Sequence, residues 1–200
     1  SHQYERFMTS ETAMTDEVLM LAYRGGDARA FDTLYTRYKG PLYRYLLRQC
    51  HVPAVAEELF QDIWFNLIRA RERYEPRAKF STFIYSMAHN RLIDHYRKSS
   101  RSVPISYDDD PDDAPLVERV AGTERDNPAW QAEIGEQSRQ LRELLAELPE
   151  AQREAFLLRE EGDLSVEEIA AATGVNAETA KSRLRYAVAK LRQGMTGRRK

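Results

Sequence analysis

Cysteine is almost missing from this chain. Cys50 alone among 200 residues leaves no intrachain disulfide and suits a reducing compartment. Long apolar runs are missing too. None approaches the roughly 20 residues of a membrane span, so direct membrane insertion is not expected. The polar opening SHQYERFMTSETAMTDE holds no apolar stretch of the kind a secretory signal needs. Ser1-His2 without a leading Met reads as a tag remnant, and residues 1–14 are expected to form a disordered extension. Histidine is sparse: His2, His51, His89 and His95 are too scattered to propose a metal site. A Gly-rich phosphate loop and a paired acid site are both absent. Cys50 and His51 adjoin in sequence, but sequence neighbours do not make a catalytic pair. The expectation is therefore a cytoplasmic protein that is not an enzyme and uses no metal, cofactor or small-molecule substrate.

Strand alternation is nearly absent as well, whereas helical period is plentiful. Val18, Leu21 and Ala22 precede a Gly25-Gly26 break, and Phe31, Leu34, Tyr35 and Tyr38 follow it. Pro41 fits a first helical turn, ahead of Leu42, Tyr45 and Leu46. Val55, Leu59, Ile63 and Leu67 recur at intervals of four, and Phe80, Phe83, Ile84, Met87 and Ala88 form a further stripe. From residue 101 to 128 the period lapses among Pro104, Pro111, Pro115, Gly122 and Pro128. It returns at Ala129. The expected architecture is all-α: two small helical domains, 15–100 and 129–200, joined by a flexible acidic linker, 101–128.

A net charge of −2 looks wrong for a nucleic-acid binder until it is divided along the chain. Between Arg77 and Arg101 the cations Arg77, Lys79, Arg91, Arg97, Lys98 and Arg101 oppose Asp94 alone. From Lys181 onward there are Lys181, Arg183, Arg185, Lys190, Arg192, Arg198, Arg199 and Lys200, with no acid. DDDPDD lies between the two blocks. Local charge, not the sum, is what a phosphate backbone meets.

LSVEEIAAATGVNAETAKSRLRYAVAKLRQ reads as a helix-turn-helix. Ser165 and Glu168 have the spacing of a capping box, Gly174 supplies a turn, and Asn176 can cap the next helix. Ala180, Leu184, Ala187, Val188 and Leu191 form one core stripe. Thr179, Lys181, Ser182, Arg185, Tyr186 and Lys190 then point outward, with Arg183 adding charge, a face suited to the major groove. The bland alternative is an αα-hairpin with a solvated basic face. In RYEPRAKFSTFIYSMAHNRLIDHYRK, rings and cations lie close together. Bases released from a duplex stack on rings, at about 1–3 kcal/mol each. Tyr74, Phe80 and Tyr85 are divided evenly on spacing between base platform and ordinary core. Lys79, Arg91, Arg97 and Lys98 would track phosphates, and Asn90 could bond a base edge.

The order of parts resembles an extracytoplasmic-function (group IV) sigma factor of bacterial RNA polymerase, in the sigma-70 family. GDARAFDTLYTRYKGPLYRYLLR resembles region 2.1, AEELFQDIWFNLIRA region 2.2, and KFSTFIYSMAHNRLIDHYRK regions 2.3 and 2.4. LPEAQREAFLLREEGDLSVEEIAAATGVNAETAKSRLRYAVAKLR resembles region 4. The resemblance implies a region 2-like bundle that binds core polymerase through Glu58, Gln61, Asp62 and Phe65, although from sequence alone a solvated acidic face is the favoured reading of Glu58 and Asp62. It implies a pocket for a flipped base of the melted −10 strand at Ala70, Tyr74 and Asn90, and −35 duplex readers at Lys181, Ser182, Arg185 and Tyr186. Phe83 stands where relatives usually carry Trp. Tyr186 stands where many carry Arg, with the cation one place earlier. The implied partners are core RNA polymerase (β′ clamp helices and β flap), promoter DNA and an anti-sigma factor, in a stress or envelope response. The alternative is a stand-alone helix-turn-helix regulator, which leaves the basic, aromatic stretch without a task.

Overall fold

The structure, a computed structural model, describes residues 14–99 and 128–197. The expectations placed on the N-terminal extension, the acidic linker and Arg198 to Lys200 lie outside the described residues. All the regular structure described is helical: α1 (Asp16–Arg24), α2 (Ala28–Cys50), α3 (Pro53–Ala70), a 3-10 turn (Arg71–Arg73), α4 (Phe80–Ser99), α5 (Pro128–Glu147), α6 (Glu150–Glu160), α7 (Val166–Thr173) and α8 (Ala177–Gly197).

Thr15 caps α1 by accepting from the Val18 N–H at 3.3 Å, and Asp16 and Glu17 sit at the positive end of its dipole. Leu19 and Met20 are its buried residues, while Val18 is 48% exposed, contrary to the stripe expected from periodicity. A helix of 9 residues has too few turns for its pattern to define one face, so packing against α2 chooses the rotation.

Pro41 does not begin a new helix. It lies inside α2, which runs unbroken from the Asp27 cap to His51, where a left-handed φ of 63° stops it. An interior proline costs about 3 kcal/mol. Leu34 before it and Leu42, Tyr45 and Leu46 after it are all fully buried, at roughly 1.5–3 kcal/mol each, so continuity wins. Gly40 contributes by leaving room for Arg44, whose Nη1 would sit 3.2 Å from any added Cβ. In α3, Leu59, Ile63 and Leu67 are buried as their spacing predicts, and Val55 is half-buried.

The helices before and after residues 100–127 make two bundles that pack on each other, α2 against α6 and α4 against α7. Their apolar residues form one continuous core. A polar seam runs through this junction. The Tyr45 hydroxyl donates to Glu154 Oε2 at 2.8 Å, and His89 Nδ1 lies 2.9 Å from Glu154 Oε1. Arg153 Nε donates to Gln49 Oε1 at 2.7 Å, and Arg44 pairs with Glu161 at 2.9 Å. Burial, then the Glu154 charge, pushes the Tyr45 phenol well above its ordinary value. His89 is a half-buried member of this seam.

Candidate nucleic-acid interface

Local chemistry builds α7 and α8 as their sequence anticipates. Both halves of the capping box form: the Glu168 N–H donates to Ser165 Oγ at 3.2 Å, and the Ser165 N–H donates to Glu168 Oε1 at 3.3 Å. Gly174 closes α7 at φ 70°, a left-handed conformation that glycine adopts without steric cost. Asn176 Oδ1 then accepts from the Thr179 N–H at 2.8 Å, capping α8. Ala180, Ala187 and Leu191 are buried, Leu184 is half-buried against the core, and Val188 is half-buried.

This anchoring turns the opposite face of α8 outward. Lys181, Arg185, Tyr186 and Lys190 are exposed, while Thr179, Ser182 and Arg183 are half-buried beside them. Tyr186 is 53% exposed and carries the Arg185 guanidinium 5.7 Å from its ring centroid, within cation–π range. The cation one place before the tyrosine therefore lies over its ring. Lys190 Nζ donates to Gln152 at 3.1 Å, which ties the far end of the face to α6.

The forward bundle divides its candidates. Lys79, Asn90, Arg97 and Lys98 are exposed. Tyr74, Phe80 and Tyr85 are at most 1% exposed, and Ala70 is 4%. Expected as members of a nucleic-acid face, these four have their side chains in the core, and the three rings offer no face to a base as they stand. The reason is packing: Tyr74 stands edge-on to Phe80 and Phe83, at 6.3 and 5.3 Å, and Tyr85 edge-on to Tyr45 at 5.5 Å. Phe83, at the position noted as a departure, thus serves as a wall for Tyr74. Arg91 is also drawn away, its Nη2 2.7 Å from Asp62 Oδ2.

Glu58, Gln61, Asp62 and Phe65 fall on one side of α3 at helical spacing. Glu58 and Gln61 are exposed, Asp62 is half-buried, and Phe65 is 57% exposed. Phe65 is thus a large apolar ring exposed to water beside acids and an amide. Sequence reasoning missed Tyr45, Gln49, Arg153 and Glu154 at the seam, and Glu17 and Arg24, which bond the segment before α4. No local pattern distinguishes them from solvated polar residues.

A cationic helix-turn-helix and a second bundle with its own exposed cations define a protein suited to binding DNA. The sigma-70 region 2 model matches residues 34–102, and the sigma-70 region 4 model matches 138–191. The chain belongs to the sigma-70 family, among the extracytoplasmic-function RNA polymerase sigma factors. It is 34% identical over 192 residues to the ECF RNA polymerase sigma factor RpoE of Cereibacter sphaeroides, covering 94% of this chain and 100% of that one. It is 28% identical over 174 residues to the RNA polymerase sigma-H factor of Pseudomonas aeruginosa, covering 86% and 90%. Among solved structures, its fold is similar to the sigma factor RpoE of Bartonella quintana in complex with the anti-sigma factor NepR (TM-score 0.65, 19% identity, 84% and 98% covered). It is also similar to CnrH in complex with the cytosolic domain of CnrY (TM-score 0.61, 20% identity, 91% and 97% covered). As a sigma factor, the chain binds DNA and directs transcription initiation by RNA polymerase.

Proposed function

We propose that the two bundles read the two parts of a promoter separately. Residues 129–200 take the −35 duplex through the outward face of α8, with Lys181, Ser182, Arg185 and Tyr186 as readers and the cations Lys181, Arg183, Arg185 and Lys190 also neutralising phosphates. Residues 15–100 hold the melted −10 strand over the exposed Lys79, Asn90, Arg97 and Lys98. Residues 101–128 form the acidic connection between them. The observation that carries this reading is the sidedness of α8: its apolar residues turn inward, leaving cations, a hydroxyl and an exposed ring outside. That combination suits groove readout, in which phosphate contacts set register and base edges give specificity.

The face of Glu58, Gln61, Asp62 and Phe65 docks on the β′ clamp helices of core polymerase, and the β flap provides a further contact. The relatives solved with anti-sigma factors support such a partner here, and with it a role in a stress or envelope response. The protein works in the cytoplasm and carries out no chemistry of its own; the polymerase does. No helix among the described residues is long and apolar enough to cross a membrane.

Reconstitution tests the reading. Purified chain mixed with core polymerase should form a one-to-one complex and initiate from dedicated sites, with transcript starts preceded by two conserved DNA blocks. A chain that binds duplex DNA but forms no stoichiometric polymerase complex is a stand-alone regulator, and the reading is then wrong.

A further inference from the structure

Residues 71–79 join α3 to α4 and place Lys79 at the start of the helix that carries Asn90. The segment has little lattice of its own. Beyond its 3-10 turn, closed by a long 3.4 Å bond from the Tyr74 N–H to Arg71 O, it runs through Pro76, which has no N–H to donate. Glu72, Arg73, Glu75, Pro76, Arg77, Ala78 and Lys79 are all exposed. A surface segment so poorly bonded takes its conformation from whatever grips it.

Apart from Lys79 Nζ, which donates to Glu168 Oε1 of α7 at 3.4 Å, the grip comes from α1, at three points. Arg24 Nη1 donates to the Tyr74 carbonyl at 2.9 Å. Glu17 Oε1 accepts from the Phe80 N–H at 3.0 Å. Lys79, just before α4, has no side-chain acceptor to cap it, so an acid from another helix does so. The Arg71 guanidinium lies 5.6 Å from the Tyr23 ring centroid and donates to the Tyr23 hydroxyl at 3.4 Å. The clamp itself rests on a firm base. Leu19 and Met20 are buried, and Asp16 binds Arg37 of α2 at 2.8 Å and accepts from the Tyr38 hydroxyl. The grip also reaches inward, because the Tyr74 ring packs edge-on against Phe80 and Phe83.

We propose that Glu17 and Arg24 are positioning residues for −10 strand recognition, holding the connection at the Tyr74 carbonyl and at the first N–H of α4 so that Lys79 and the start of α4 meet unpaired bases in one fixed geometry. The inference rests on the proposed assignment of the −10 strand to the forward bundle. Neither residue need touch DNA. Fixing the segment before binding removes an ordering cost and penalises a mismatched base, because the segment cannot relax around it.

The test uses the complex of this chain with core polymerase and, as probe, a library of single-stranded DNA oligonucleotides randomised over a short central window. Bound sequences are counted for wild type and for the Arg24→Ala, Arg24→Lys and Glu17→Ala variants. Wild type should select particular bases. Arg24→Ala and Glu17→Ala should each flatten the best-to-worst base ratio by about tenfold at one or more positions, a loss on the scale of one good base contact. Arg24→Lys, which can still donate to the Tyr74 carbonyl, should restore most of it. Polymerase complex formation and −35 duplex affinity should stay within about twofold of wild type, as for a change remote from both faces. The ratio is taken among bound molecules, so a variant with a reduced folded fraction still reports it. If all oligonucleotides weaken equally and the ratio is unchanged, the two residues are merely structural and the inference is overturned. If wild type itself selects no base, the −10 assignment fails first and takes the inference with it.

Discussion

Glu154 holds two helices of the other bundle with one carboxylate, accepting from Tyr45 of α2 at 2.8 Å and lying 2.9 Å from His89 Nδ1 of α4. Both Tyr45 and Glu154 are buried, at 0% and 6% exposure, so the bond forms without competition from water. A double-mutant cycle with Tyr45→Phe and Glu154→Gln should give a coupling energy of about 0.5–3 kcal/mol in urea unfolding. A coupling indistinguishable from zero means that the bundles do not share this seam in solution.

The packing of the two bundles also brings Glu168 of α7 to Lys79, 3.4 Å from its ammonium. Burial alone would raise the Glu168 carboxyl, but hydrogen bonds from Ser165 and the Lys79 pair outweigh it, and the value falls below the ordinary 4.5. A depressed carboxylate stabilises the fold above its unfolded value, and the benefit is lost as pH falls through the folded one. Wild type should therefore exceed Glu168→Gln in unfolding free energy at neutral pH. The gap should be on the order of 1 kcal/mol and close as the pH drops below about 4.5. A gap that widens on acidification contradicts the assignment.

On α8, Lys181 and Arg185 face solvent. Replacing both by Ala should weaken −35 duplex binding and reduce the slope of log affinity against log salt by about 0.9 for each phosphate no longer neutralised. Affinity titrations over a range of salt concentrations measure this directly. An unaltered slope removes both side chains from the phosphate interface, whatever happens to affinity at one salt.

Phe65, at 57% exposure, contributes little to the core it borders. Phe65→Ala should leave thermal stability nearly unchanged, within about 0.5 kcal/mol. Its affinity for core polymerase should nevertheless fall by about 1–3 kcal/mol if the ring is an anchor of the docking face. Competition binding against wild type separates the two effects, and normal polymerase affinity would show the ring to be a bystander.

The residues themselves determined every feature whose cause lies within a few positions. Ser165, Glu168, Gly174 and Asn176 fix the helix-turn-helix because caps and turns are bonded across two to four residues. The interval of Leu59, Ile63 and Leu67 fixes the buried side of α3 for the same reason. The two basic blocks were visible because charge is a property of composition alone. The tertiary fold decided which rings are available. Tyr74, Phe80 and Tyr85 have the residue types and spacing of a stacking platform, yet one apolar stripe serves equally to line a core, and only the neighbouring helix settles which. It also carried α2 through Pro41, since burial on both sides exceeds the proline's penalty. Above all, it paired Tyr45 with Glu154 and Arg24 with Tyr74, partners 109 and 50 positions apart. At such separations neither partner carries any local sign of the other, because the bond exists only where folding has brought the two together.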